Sequence, residues 1–330
     1  VSDTAPPTEW PTVSVVVPVR NEAVNLRAAV ESILTQTYPG GFDVCLAIAP
    51  CTDDTMAVAE AIVADHPQVH IVDNPGVTPP CGQNAGFRAT TGEVVVVVGG
   101  HSALCPGYIG RAVATMLATG AVNVGGVQRA EGTTTFQRAV ARAMTSRFGV
   151  GSGRTHLGGT PGPVDSVSLG VFRRTAVEAV GMFDESLRAN EDYELNIRLR
   201  AAGGVVWFDP ELWATYRPRT SVRRLARQYF DYGRYKRRVV LRYPASLRWR
   251  QTIPPLATAT LIATAVLGWW WRPAWLVPTL YLGLVLCVSI IEARSPGPDG
   301  QRVSAARLTL IYPTMHLCWG GGFLFGRLPA

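Results

Sequence analysis

Two hydrophobic periods alternate along the first two thirds of this chain. Residues 12–18 form an apolar, β-branched run that stops at Pro18, the mark of a buried strand. Residues 22–34 then place apolar side chains at helical spacing. The pair recurs: strand 44–49 with helix 53–64, strand 69–72 with helix 82–89, strand 93–98 with helix 106–117. Strands apolar on both faces, alternating with helices, predict an α/β fold whose mostly parallel sheet carries helices on both faces. The Gly-rich stretch 149–163 predicts a mobile loop, after which 164–172 and 205–208 read as strands.

The last third changes character. Residues 253–271, 273–291 and 308–326 carry no Asp, Glu, Lys or Arg, and each has about the length a helix needs to cross a bilayer. Trp269, Trp270, Trp271 and Trp275 surround the single charge Arg272, as an interfacial aromatic belt would. The third run contains Pro313, His316 and Gly320-Gly321-Gly322, so a re-entrant or packed segment fits it as well as a span. Two to three membrane helices are therefore expected over 251–330, preceded by a basic interfacial helix over 221–250 and a soluble domain over 1–220.

Charge sharpens that division. Residues 221–250 hold ten Lys or Arg against one Asp, so the formal net charge of +7 is a local property. A local basic run beside a membrane helix predicts contact with membrane lipids, not nucleic acid, and the positive-inside rule places the N-terminal domain in the cytoplasm of a multi-pass protein. The six cysteines show no metal-binding spacing, which fits reduced thiols in that compartment. Residues 1–12 are polar and Pro-rich and predict no signal peptide.

In open α/β sheets ligands lie beyond the carboxyl ends of the strands. Those ends carry Pro18-Val19-Arg20-Asn21-Glu22, Pro50-Cys51-Thr52-Asp53-Asp54-Thr55 and Gly99-Gly100-His101-Ser102. No GxGxxG follows the first strand, so a dinucleotide fold is not expected. Further on, Asn190-Glu191-Asp192 opens a helix that Gly203-Gly204 ends. Two readings of this cluster stand side by side: an N-cap with acids at the positive end of the helix dipole, and a catalytic base.

Six segments in order, VSVVVPVRNE (13–22), CTDDT (51–55), QNAGFRATTGE (83–93), DSVSLGVFRR (165–174), VGMFDESLRANEDYELNIRLR (180–200) and QYFDYGRYKRR (228–238), make the chain similar to family 2 GT-A glycosyltransferases, within their membrane-attached, succinoglycan-type (ExoA-like) branch. The resemblance implies an inverting transfer in which Asp192, with Glu191 beside it, is the catalytic base. It also implies that Pro18, Arg20, Asn21, Glu22, Asp53, Asn84, Arg88, Gly99 and Gly100 bind a nucleotide-sugar donor. Gln228, Tyr232 and Lys236 would face the acceptor or the diphosphate.

The departures are as informative. Most of the family ends the strand at 94–98 with Asp-x-Asp, which holds a divalent Mg or Mn; here the triplet is Gly99-Gly100-His101. The resemblance implies the metal, the loss of both acids argues against it, and His101 is the ligand that is left. Without a metal, Arg88 and the basic helix are the cations available to the diphosphate. Ile48 and Ala49 stand where many relatives carry acids that contact the base, which leaves the nucleotide open. Asp231 and Tyr232 replace the Arg and Trp of the processive Gln-x-x-Arg-Trp motif, so transfer of one sugar is expected. The expected reaction is hexosyl transfer to a lipid-linked, polyprenyl-type saccharide at the membrane surface, in polysaccharide or glycolipid synthesis. The alternative is an inactive GT-A-like membrane scaffold.

Overall fold

In a computed structural model the chain is described over residues 9–297 and 300–327. Most of the leader expected to be polar and Pro-rich, residues 1–8, lies outside the described residues. The elements follow in order β1 (Val13–Val19), α1 (Leu26–Leu34), β2 (Phe42–Ile48), α2 (Thr55–Asp65), β3 (Val69–Asp73), α3 (Pro79–Ala89), β4 (Val94–Val97), α4 (Tyr108–Thr119), β5 (Asn123–Ala130), α5 (Thr135–Met144), α6 (Arg147–Val150), α7 (Arg154–Leu157), β6 (Gly162–Pro163), β7 (Ser168–Arg173), α8 (Arg174–Ala179), α9 (Glu191–Ala201), β8 (Val206–Tyr216), α10 (Val222–Arg242), α11 (Trp249–Leu267), α12 (Leu276–Arg294) and α13 (Ala305–Phe325). They gather into two compact units, residues 1–129 with 158–216 and residues 130–157 with 217–330.

The first unit is built on an eight-stranded sheet of order β3-β2-β1-β4-β7-β5-β8-β6. Its β1, β2, β3 and β4 pair in parallel, whereas β7 runs antiparallel to β4 and β5, and β6 antiparallel to β8. The sheet is thus mixed, which corrects the mostly parallel expectation: the alternation that predicted it stops at α4. Strand β5 escaped the sequence pattern because Gly125-Gly126 interrupts its apolar run. A Cβ on Gly126 would lie 1.9 Å from the Leu212 carbonyl oxygen, so the glycine is what lets β8 lie so close. Residues along β1 serve alternate faces: Val13, Val15 and Val17 enter one core with Leu26, Leu46 and Ile109, and Val16 enters another with Phe87, Phe172 and Leu195.

Chain order sets the ligand crevice. From β1 the chain moves outward through β2 to β3, then returns to place β4 on the other side of β1. The switch point therefore lies between β1 and β4, where connections leave in opposite directions and a cleft opens at the carboxyl ends.

The second unit is helical. The stretch 149–163 expected as a mobile loop holds the end of α6 and all of α7, and its part up to residue 157 packs in this unit with the rest of 130–157. Thr134 and Gln137 form a reciprocal capping box that starts α5. The three uncharged runs are helical, with α13 continuous through Pro313. Among the described residues Arg272–Arg294 is the helix long and apolar enough to cross a membrane, so one segment meets the expectation of two to three. Four threonines and Pro254-Pro255 dilute α11, and α13 turns Tyr312, Met315, Gly320 and Gly322 inward.

Candidate functional site

The crevice residues are held by hydrogen bonds between the ends of β1 and β2. Asn21 takes a left-handed conformation, φ 54°, which Asn tolerates better than most residues. Its Oδ1 accepts the Thr52 N–H at 2.8 Å, and the Glu22 N–H donates to Thr55 Oγ1 at 2.8 Å. Asp53 Oδ2 accepts the Ala23 N–H at 3.3 Å and Oδ1 accepts the Thr55 hydroxyl. That hydroxyl bond, aided by backbone N–H groups, holds the Asp53 carboxyl below the ordinary carboxylate range. The turn at 21–25 also explains why α1 starts at Leu26, later than its periodicity suggests: Glu22 O accepts both Asn25 N–H and Leu26 N–H at 2.9 Å. Arg20 stands exposed beside this loop, and Pro18 sits within β1 opposite Ala47.

Across the switch point, His101 Nδ1 lies 2.9 Å from Glu22 Oε1, and its ring meets Tyr216 edge-on at 5.9 Å. Gly99 O accepts the Ser102 N–H at 2.9 Å, closing a turn after β4. A Cβ on Gly100 would lie 3.4 Å from Glu22 Cγ. The residues present do not fit an Asp-x-Asp metal site. One imidazole remains of the triplet, it is already engaged by Glu22, and among the described residues no group of three His, Cys, Asp or Glu is placed to hold a metal.

A second group forms around α3. Asn84 commits its whole amide to the loop before α9: Nδ2 donates to Phe183 O at 2.9 Å and Glu185 Oε1 at 2.8 Å, and Oδ1 accepts the Phe183 N–H at 3.0 Å. Arg88 lies 3.6 Å from the same Glu185 carboxylate. Glu185 was not singled out by the sequence reading, although its place in the VGMFDE segment was the available signal. Replacing Asn84 with Ala leaves a buried N–H and C=O without partners, and the expected cost is about 2 kcal/mol, read as a lower thermal midpoint.

The third group is the start of α9. Asn190 occupies the N-cap at φ 63° and makes no side-chain cap hydrogen bond, so the capping reading of this cluster loses its main support. Glu191, Asp192 and Glu194 fill the first turn. Burial, reinforced by the neighbouring Asp192 charge, pushes the Glu191 carboxyl up to about 8. Buried Glu194 is chelated by Arg198 Nε and Nη2, and the same guanidinium donates to the Met182 carbonyl at 2.6 Å and to that of Val180. Arg198, another residue the sequence reading passed over, thereby ties the turn at 180–182 to the helix that presents the acids.

The acceptor-side candidates belong to the second unit. Gln228 Nε2 donates to the Tyr232 hydroxyl at 3.0 Å one turn along α10, Tyr229 meets Tyr232 edge-on at 5.6 Å, and Lys236 is buried on the same helix.

A family model described as glycosyltransferase like family 2 matches residues 11–232. The succinoglycan biosynthesis protein ExoA of Rhizobium meliloti (strain 1021) is 29% identical over 316 residues, covering 94% of this chain and 93% of that one. Among solved structures, the mannosyltransferase PcManGT from Pyrobaculum calidifontis, in complex with GDP-Man and Mn2+, superposes with a TM-score of 0.64 at 18% identity, over 98% of this chain and 90% of the other. S. aureus TarS 1-349 in complex with UDP gives 0.51 at 15% identity; there the match covers 70% of this chain and less than two thirds of the other, 64%.

Proposed function

Because the chain belongs to glycosyltransferase family 2, we propose that it is an inverting, one-sugar hexosyltransferase that uses a nucleotide-sugar donor and a lipid-linked acceptor at the membrane surface. The observation that carries this reading is the acidic start of α9, where Glu191, Asp192 and Glu194 fill the first turn and Asn190 makes no side-chain cap hydrogen bond. Asp192 takes the proton of the acceptor hydroxyl as that oxygen bonds to the anomeric carbon. The bond from that carbon to the diphosphate breaks, and the nucleoside diphosphate leaves with the electron pair. Arg20, Asn21, Glu22, Asp53, Gly99 and Gly100 would hold the donor at the switch point. Asn84 and Arg88 would act beside them through Glu185.

The lipid-linked acceptor is inferred from chemistry around the second unit. Leu276, Leu280, Leu282, Leu284, Leu286 and Ile291 of α12 are exposed, as are Trp269, Trp270 and Trp271 beside it. Such a surface suits lipid, with indoles at the headgroup level. We take 1–220 as the cytoplasmic GT-A domain, 221–250 as a basic helix on anionic headgroups and 251–330 as the membrane region, with α12 as its spanning helix.

A donor screen on the detergent-purified chain tests this. Incubated with labelled UDP-, GDP- and dTDP-sugars and a polyprenyl-linked saccharide extract, it is expected to move label from one donor into the lipid fraction. Nucleotide release from none of them would sink the transferase reading and leave the scaffold one.

A further inference from the structure

The metal that two carboxylates hold in most of this family has no such pair here, and what stands in the position is itself a charge arrangement. Glu22 leaves the end of β1 and His101 follows β4, so their 2.9 Å contact spans the switch point between those strands. Both side chains are mostly buried, 20% and 30% exposed. Glu22 is fixed in turn: its backbone N–H donates to Thr55 Oγ1, and Oε2 accepts the Asn25 amide at 3.0 Å. An ionised carboxylate only accepts, so the nitrogen facing it is an N–H, and the other ring nitrogen is the one left for a ligand. That Nε2 lies on the side of Gly99, 4.0 Å from where a Cβ would stand, and so on the side from which an acid would have projected.

On the reading of the chain as a nucleotide-sugar transferase, we infer that the Glu22–His101 pair binds the donor diphosphate in place of a divalent cation. An imidazole set between a carboxylate and a diphosphate turns one ring nitrogen to each and meets the phosphate oxygens with an N–H hydrogen bond, charge-assisted because the phosphate is an anion. Glu22 orients the ring and is a positioning residue; His101 touches the diphosphate. A Cβ at 99 would lie 3.3 Å from Ser102 Oγ and 3.7 Å from His101 Cε1, so the side chain of an Asp there would stand beside the ring. The competing use of an Nε2 lone pair, as a metal ligand backed by a carboxylate, needs further protein donors that the described residues do not group here.

Calorimetric titration of the full-length, detergent-purified chain with GDP and UDP, in excess EDTA and then in excess Mn2+, tests the inference. One nucleotide is expected to bind with the same Kd in both conditions to within about twofold. His101→Ala should weaken binding in EDTA by about tenfold, and Glu22→Gln by less, with unchanged thermal midpoints. Gly99→Asp, which places an acid beside His101, should make binding depend on Mn2+. Binding only when Mn2+ is present, or a His101→Ala variant that binds like the parent, overturns the inference. Metal-free binding without transfer from any sugar nucleotide upholds it while removing the transferase reading. Mn2+-dependent binding with transfer does the reverse.

Discussion

Asp192→Asn is expected to lower kcat by about a hundredfold to ten-thousandfold, the range over which a positioned general base contributes, while the donor Kd holds within about twofold. The amide keeps the shape of the side chain and removes its basicity, so donor binding at the switch point should continue. Glu191→Gln should behave differently. With its carboxyl pushed up to about 8 by burial and by the Asp192 charge, Glu191 holds a proton through the neutral range, and the coupled pair carries one negative charge. Gln mimics that protonated form and should keep activity within about tenfold of the parent. The sign of the stability effect follows. A Glu whose folded-state value lies above its unfolded one contributes stability fully below about 4.5 and loses it as the pH rises through about 8. Thermal midpoints across that window should fall for the parent and fall less for Glu191→Gln. Equal losses of kcat in the two variants would refute Asp192 as the particular base.

The contrast between those neighbours was half legible in the sequence. Spacing alone found the cluster and its helix, but also allowed Asn190 to be a cap. The backbone puts Asn190 at the N-cap in the left-handed region without a side-chain cap hydrogen bond, which weakens the capping half of that pair of readings. The parallel half of the sheet was legible because β1 to β4 are apolar on both faces and punctuated by helices. In the antiparallel half β7 and the start of β8 were read as strands, but β5 was not, since Gly125 and Gly126 interrupt its apolar run where β8 approaches closely. Among site residues, those at strand ends could be read from chain order. Glu185 lay within a matched segment, but its role, like those of Glu194 and Arg198, rests on contacts the sequence does not show: Asn84 with Glu185 across 101 residues, and a guanidinium reaching back to the carbonyls of a preceding turn. The Glu22–His101 contact is of the same kind, joining residues 79 apart that only the β1–β4 adjacency brings together.

The glycine run of α13 is where sequence was most ambiguous and where structure makes the largest stability prediction. In an exposed helix interior, Gly→Ala stabilises by about 1 kcal/mol, because alanine loses less backbone freedom on folding. Gly321 has nothing within 4 Å of a new Cβ, so Gly321→Ala should raise the thermal midpoint. One position on, the sign reverses. A Cβ on Gly322 would stand 2.0 Å from the Phe230 carbonyl oxygen of α10, and one on Gly233 would stand 1.9 Å from the Trp319 carbonyl oxygen of α13. These are backbone atoms of packed helices and cannot swing aside as a side-chain tip does, so α10 and α13 must separate to admit even a methyl group. Overpacking of this kind costs about 1–3 kcal/mol for Ala, and Gly322→Leu should exceed that range. Since α10 also carries Gln228, Tyr232 and Lys236, the same variants should lose transfer to a lipid acceptor while GDP or UDP still binds the first unit. Thermal unfolding in detergent, run on all four variants, checks the order Gly321→Ala above parent, parent above Gly233→Ala and Gly322→Ala, and Gly322→Leu lowest. A Gly322→Ala variant as stable as Gly321→Ala would show that α10 and α13 do not meet backbone to backbone, and the small-residue run would then need another explanation.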